Sequence, residues 1–361
     1  MKIGIITFHF VYNYGAALQA YAMQEHLKQM GHEAYIIDYS PEYHRRIYST
    51  GRKWGDCFKG ALWKAPFKVF FKLFRNYEKG KSINFEAFSA KYFNLYPYSS
   101  ESDFSEFDCI LLGSDQIWRQ NLTQNRFDGP YYGDGFKCRV FSYAASNKST
   151  SLTEKEAETY TEKLKQLTHI GVRESMLQTL LQPLADKKVY LNVDPTILGG
   201  IEVFNNLQLK RPTEQRYVLL YQLPYSQKVF DLAKKYAKQN NLRLVCLVDL
   251  PDPKLTKYYD QVAGPEEFLA YIKYAECVFT TSFHGTAFSL IYNKQFYSIK
   301  QHTDADIRLQ SILDQVGMLD RFIEVNANPM PKQIDYSKVN PKLAQLRVSS
   351  QEYLESAIYN K

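Results

Sequence analysis

The run Phe279-Thr280-Thr281-Ser282-Phe283-His284-Gly285-Thr286-Ala287-Phe288-Ser289-Leu290-Ile291-Tyr292-Asn293 decides how this chain is read. Ala275 to Phe279, interrupted by one glutamate, has the pattern of a buried strand. A short polar turn, Thr280 to Ser282, follows. Phe283, Ala287, Leu290 and Ile291 then recur at the i, i+4, i+7, i+8 spacing of one helix face. A strand, a tight turn and a helix make one βα unit of a parallel sheet. His284 and Gly285 fall at the helix start, where free N–H groups and the positive end of the dipole receive anions. An imidazole there has the chemistry of an acid–base station, although capping or packing is its commoner use.

The same alternation runs through the rest of the chain. Ile3-Gly4-Ile5-Ile6-Thr7-Phe8 reads as a first strand, and Asn13-Tyr14-Gly15-Ala16 opens a helix to about Met30, with Gly31 as its stop. Ala34 to Ile37 is a second strand. Asn13-Tyr14-Gly15 therefore lies at a strand's carboxyl end, where doubly wound sheets bind ligands, but it is no G-x-G-x-x-G fingerprint. Asp108 to Leu112 is a strand running into Gly113-Ser114-Asp115-Gln116-Ile117-Trp118. Val140 to Ala144, Ile170 to Val172 and Val189 to Val193 are further strands, the last two followed by Arg173-Glu174 and Asp194-Pro195-Thr196. A linker is expected at 199–214, after which strands and helices alternate again from 217 to about 316, and a last helix spans Lys342 to Ile358.

The expected architecture is α/β: two Rossmann-like parallel-sheet domains facing a cleft, a GT-B-like arrangement, with the C-terminal helix packing back on the first domain. The first domain is 1–198, the second 215–334, and 335–361 is the terminal helix. No repeat or low-complexity tract is visible.

Charge singles out one departure from this rhythm. Residues 45–81 hold eleven Lys/Arg against two acids, so the formal net charge of +7 is a local patch and the rest of the chain is near neutral. Within it Trp63, Phe67, Phe70, Phe71 and Phe74 share a helical face beside Lys64, Lys68, Lys72 and Arg75. That pairing fits peripheral contact with the inner face of a membrane or a lipid-linked ligand. The plainer reading is an insertion helix covering the core with a solvated basic flank. No nucleic-acid motif accompanies the patch, so no nucleic-acid partner is expected.

The five cysteines, Cys57, Cys109, Cys138, Cys246 and Cys277, are odd in number and form no C-x-x-C, which fits a reduced, cytoplasmic setting and not a zinc site. The opening apolar run is too short for a signal-peptide core, and no stretch is long enough to span a membrane.

Taken together, Ile3 to Phe8 with Asn13-Tyr14-Gly15-Ala16-Ala17-Leu18-Gln19-Ala20-Tyr21, then Gly113 to Trp118, Val172-Arg173-Glu174, Asp194-Pro195-Thr196, Ser282-Phe283-His284-Gly285-Thr286 and Arg308 before Leu313-Asp314-Gln315-Val316-Gly317 carry a family likeness. In order and spacing the chain resembles the polysaccharide pyruvyl transferase family over most of its length. The resemblance implies transfer of a pyruvyl group from phosphoenolpyruvate (PEP) to sugar hydroxyls of a cell-surface polysaccharide precursor, forming a ketal, with PEP as co-substrate and no cofactor or metal. The acceptor would be a glycan or lipid-linked oligosaccharide held by the first domain, and PEP would be held by the second. The alternatives are a GT-B glycosyltransferase using a nucleotide sugar and a catalytically inactive glycan-binding relative.

PEP carries a phosphate and a carboxylate, which call for arginine forks and backbone donors. Carried over by position, His284 is the expected general acid or base and Arg173 the expected anion clamp. Arg308 and Lys300 are further cations, Asn13, Gly15 and Asp115 line the cleft, and Ser282 and Gly285 flank the histidine. Some family members have arginine two residues before this histidine, where this chain has Ser282. Plainer uses stand beside these. Arg173 can pair with Glu174 or Asp194, Asp115 can cap a helix, and Asp194-Pro195 is first a turn signal. Asp304-Ala305-Asp306 looks like a D-x-D metal motif but precedes a helix that it can cap, and His302 is a candidate second imidazole.

Overall fold

The computed structural model describes residues 1–43, 65–102, 104–248, 258–260, 262–329 and 333–359, the side chains of 65–78 and 248 excepted. The first sheet is built on β1 (Lys2–Ile6), a run of apolar residues buried on both faces. Such a run suits the middle of a parallel sheet, and β1 lies between β2 (Glu33–Ile37) and β4 (Cys109–Leu112), parallel to both. With β3 (Leu95–Tyr96) and β5 (Arg139–Ser142) the order is β3-β2-β1-β4-β5. A parallel pair, β6 (Ile170–Val172) and β7 (Val189–Leu191), continues this sheet through bridges from Asp115 to Ala145 and from Ala145 to Val172.

Between β1 and β2 runs α1 (Tyr14–Gln29), with the Asn13 side chain accepting the Ala16 N–H at its start. Gly31, at φ +85°, takes the left-handed conformation that stops it, as the sequence suggested. Helix α2 (Ala65–Tyr92) leads into β3, α3 (Glu154–Lys165) begins with a Thr153/Glu156 capping box, and α4 (Ser175–Leu181) joins β6 to β7. The fully buried α5 (Pro195–Gly199) follows β7. The expected linker is a packed connection: Val203, Phe204 and Leu207 are buried in the core shared with α1.

The second sheet contains β8 (Tyr217–Gln222), β9 (Arg243–Val248), β10 (Cys277–Thr280), β11 (Gln295–Ile299) and β12 (Phe322–Ile323) in the order β12-β11-β10-β8-β9, all pairs parallel. Its helices are α6 (Gln227–Gln239), α7 (Pro265–Tyr274), α8 (Phe283–Ile291) and α9 (Ala305–Gln315). In each sheet the chain reverses direction of winding beside a central strand, next to β1 in the first and between β8 and β10 in the second. The crevice at such a reversal, beyond the strand carboxyl ends, is where open α/β sheets bind ligands.

Two features fix the domains against each other. Tyr14, at the start of α1, stacks on Phe268 of α7 at 4.6 Å, nearly coplanar, and donates its hydroxyl to the Ala263 carbonyl at 3.0 Å. The terminal helix α10 (Tyr336–Tyr359) returns to the first domain as expected: Tyr353 donates to the Ser142 carbonyl, Ser350 Oγ accepts the Val193 N–H, and Arg347 donates to the Ile197 carbonyl. Among the described residues no helix is long and apolar enough to cross a membrane. The basic and aromatic stripe 63–75 lies outside the described side chains.

Candidate active site

Helix α8 starts tightly against its own strand. The Thr280 hydroxyl accepts the Ser282 N–H at 3.0 Å, and a Cβ on Gly285 would lie 2.2 Å from Thr280 Oγ1, so only glycine fits there. This places His284 in the first turn, buried and facing the other domain. There it meets the first turn of α1: a Cβ on Gly15 would lie 1.9 Å from His284 Nδ1. Gly15 thus lets the imidazole reach the first domain, where its Nε2 stands 3.6 Å from Asp194 Oδ2.

Asp194 belongs to a buried ionic cluster at the ends of β4, β6 and β7. Arg173, just after β6, donates Nη1 to Asp194 at 2.7 Å and Nε to Glu174 at 3.2 Å, and its Nη2 stands 3.6 Å from Asp115. Ser146 donates to Glu174 at 2.7 Å, and the other Asp194 oxygen accepts the Thr196 N–H and hydroxyl at the start of α5. Burial opposes the charge on Asp194, but His284 and Arg173 outweigh it and hold the carboxyl well below its usual range. Burial also opposes the charge on Arg173, and Glu174, Asp194 and Asp115 together more than reverse it, so its pKa is raised.

The second domain adds Arg308 from α9. Its guanidinium lies 5.9 Å from the centre of the Phe283 ring, and that of Arg173 lies 4.9 Å from the same ring. Burial and the nearby Arg173 charge bring the Arg308 pKa down to about 10. Arg173 Nη2, Arg308 Nε and His284 Nε2 are all sealed from solvent with no hydrogen-bond partner among the described residues. Buried donors are nearly always satisfied, so three orphans in one cluster mark a place built to receive acceptor atoms. Arg173 and Arg308, but not His284, border a void of about 10 Å³ lined also by Glu174, Asn192, Asp194 and Phe283, room for about one water, and Glu174 Oε2 is likewise without a partner among the described residues. Both side-chain polar atoms of Asn192 are also unpartnered.

The structure thus brings His284, Gly15, Arg173, Asp115 and Arg308 together, with Asn13 capping α1 one turn away and Ser282 and Gly285 forming the start of α8. Arg173 differs from the free clamp that was expected, because three carboxylates surround it and only Nη2 remains open. Lys300 is not in the cluster: it pairs with Glu324 at 3.0 Å. His302 pairs with the same carboxylate at 2.8 Å and its side chain is 72% exposed, so it is not a second buried imidazole. The D-x-D sequence does not cap the helix as expected: Asp304, the N-cap residue, makes no side-chain capping bond, and Asp306 instead accepts the backbone N–H groups of Gln301 and His302 in the preceding loop.

The ordering of these elements and residues matches a known protein group. The family model of polysaccharide pyruvyl transferases covers residues 13–303. The chain belongs to that family. No curated protein matches its sequence. Among solved structures, the S. aureus MnaA-UDP co-structure superposes with a TM-score of 0.50 at 9% identity, over 99% of this chain and 96% of that one. A UDP-N-acetylglucosamine 2-epimerase from Rickettsia bellii gives 0.46 at 10% identity over 98% and 95%. Arabidopsis thaliana UGT89C1 complexed with UDP-L-rhamnose gives 0.46 at 10% identity over 99% and 98%. At 9% identity the likeness to the S. aureus structure shows the GT-B fold of this pyruvyl transferase family member and nothing finer.

Asp194 and Glu174 are central to the cluster yet are not among the site residues expected from the sequence. Asp194 carried a signal, its place after a strand, but the following proline gave it a sufficient reason to exist as a turn residue. Glu174 was visible only as a partner for Arg173.

Proposed function

We propose that this family member transfers the pyruvyl group of PEP to two hydroxyls of a sugar in a polysaccharide precursor, forming a cyclic ketal and releasing phosphate. The observation that carries this reading is the set of three buried donors without partners, Arg173 Nη2, Arg308 Nε and His284 Nε2, around one arginine–carboxylate cluster. PEP supplies what they lack: two anionic groups whose oxygens accept from arginine. Arg308, with no carboxylate hydrogen-bonded to it, is the stronger phosphate contact and stabilises the leaving group. His284 gives its proton to the enol carbon C3, and Asp194, 3.6 Å from its Nε2, orients the ring. One sugar oxygen then bonds to C2, the C2–O bond to phosphate breaks, and the second oxygen closes the ketal. Of the two hydroxyl protons released, one replaces that given to C3 and the other leaves on the phosphate.

The void beside Arg308 is too small for PEP, so binding requires the domains to part and close again. The basic, aromatic sequence 63–75 supports a lipid-linked acceptor and a place at the cytoplasmic membrane surface. A nucleotide-sugar glycosyltransferase is the second reading, favoured by the GT-B fold. Thermal-shift titration separates the two: stabilisation by PEP but not by UDP- or GDP-sugars is expected, and the opposite pattern would overturn the proposal.

Gly15→Ala tests the contact that positions the histidine. The added methyl needs the space of Nδ1. Displacing the ring by about 1 Å is expected to lower kcat by about 100-fold. Steady-state phosphate release from PEP, with the melting temperature as a folding control, reads this out, and unchanged kcat would contradict the assigned role of the imidazole.

A further inference from the structure

A polar cleft of about 390 Å³ lies beside the ionic cluster, and no role above uses it. Its walls include Asn121, Asn125, Asn147, Lys148, Ser149 and Asp304, so both domains contribute. Side-chain amides, hydroxyls and a carboxylate are the groups that hydrogen-bond sugar hydroxyls. Another hollow, about 320 Å³, is lined mainly by aromatic and apolar side chains such as Phe10, Phe85 and Phe88.

We infer that this polar cleft holds the acceptor sugar and that Lys148, in its wall, is the base that takes the proton of the attacking hydroxyl. The inference rests on the PEP reading above.

Lys148 is placed by a rigid exit from β5. Ala145 bridges to both Asp115 and Val172, Ser146 is tied to Glu174, and the Asn147 side chain accepts the Ser149 N–H at 2.8 Å and donates to the Tyr160 hydroxyl at 3.0 Å. Between these anchors Lys148 takes φ +64°, a left-handed conformation that side chains rarely adopt. Such a conformation persists where its surroundings hold it, and it commonly marks a site under functional constraint. Lys148 is half-buried. Arg308 on α9, Arg119 and Asp115 after β4, and Arg173 after β6 act on it, while Glu156 of α3 and Asp304 share the cleft wall. Burial, followed by the repulsion of Arg308 and Arg119, brings the ammonium down to about 7, with Asp115 opposing. A large fraction is therefore neutral amine at neutral pH, able to accept a proton.

The step balances. The hydroxyl O–H bond breaks, its proton joins the Lys148 amine, and the oxygen bonds to C2. As the C2–O bond to phosphate breaks, Lys148 returns that proton to the departing phosphate. His284 supplies the proton at C3 separately.

The folded state lowers the Lys148 pKa, so between about 7 and the ordinary lysine value the unfolded chain binds more protons and stability rises with pH. Removing the amine takes away that cost, so Lys148→Met is expected to melt at the same temperature or higher at neutral pH. It is also expected to keep the thermal shift given by PEP and to lose turnover by about 10²–10⁴-fold.

Competitive acetylation across pH, read by mass spectrometry of the peptide containing Lys148, measures the amine without any acceptor. The wild-type protein is expected to show a midpoint near 7, raised and slowed by PEP or inorganic phosphate. A midpoint of about 10, as for an ordinary lysine, with an intact PEP thermal shift would overturn this inference alone. Wild-type turnover in Lys148→Met would do the same. No PEP thermal shift in either protein would overturn the donor reading and this inference with it.

Discussion

Replacing Arg173 with methionine is expected to destabilise the protein by about 3–5 kcal/mol and to abolish PEP turnover. The stability loss follows from what would be left behind. Asp194 and Glu174 would remain buried without the guanidinium that balances them, and Asp115 would lose a neighbouring charge. The cost of an uncompensated buried charge exceeds the net value of the pair itself. Lysine is not a conservative replacement, because one ammonium cannot span the Asp194 and Glu174 positions as the fork does. Urea denaturation of Arg173→Met measures the effect, and a loss below about 1 kcal/mol would mean the pair behaves like a surface bridge.

The same cluster gives a pH dependence. The folded-state pKa of Asp194 is depressed, so its contribution is fully present above the unfolded value of about 3.9 and is lost as pH falls toward the folded value. Arg173→Met is expected to flatten this acid limb.

Replacement of His284 with glutamine is expected to lower turnover by about 10²–10⁴-fold while leaving the fold intact. Glutamine keeps a neutral side-chain donor toward Asp194, which lies 3.6 Å from His284 Nε2, and Arg173 still balances that carboxylate. The value of His284 lies in the proton it carries to C3. In deuterated solvent, the wild-type product is expected to carry one solvent deuterium in the ketal methyl group, and single-turnover formation of that label is expected to slow in His284→Gln. An unchanged labelling rate would assign C3 protonation to another group.

Much of the fold is legible in local patterns. Short apolar runs such as Cys109 to Leu112, each followed by polar residues and an amphipathic helix, dictate a parallel sheet, and the restart at Tyr217 dictates a second one. The return of the last helix follows from its buried face, including Tyr353, Leu354 and Ile358, which needs a partner surface.

The site is legible in part for the same reason: parallel sheets gather residues from strand ends, so Gly15, Asp115, Arg173 and His284 converge although they are far apart in sequence. Which of them pair is not a local property. Lys300 lies eight residues before Arg308, but the chain leaves β11 beside Glu324, and that carboxylate takes both Lys300 and His302. Asp194 looked like a turn residue because it is one: one oxygen caps α5 while the other binds Arg173. Lys148 has no sequence signal, since its setting comes from arginines on three separate segments. Position 282 is serine, and the cation near the start of α8 comes instead from Arg308, which shares the Phe283 ring with Arg173.

The most direct measurement of the central claim is acceptor-dependent phosphate release from PEP, with the producing organism's own polysaccharide repeat units, free and lipid-linked, as acceptors. The proposal predicts one phosphate released for each pyruvate ketal found in the product by mass spectrometry and NMR, with both lost in His284→Gln. Transfer of a sugar from a nucleotide donor to those acceptors, with PEP left intact, would contradict it.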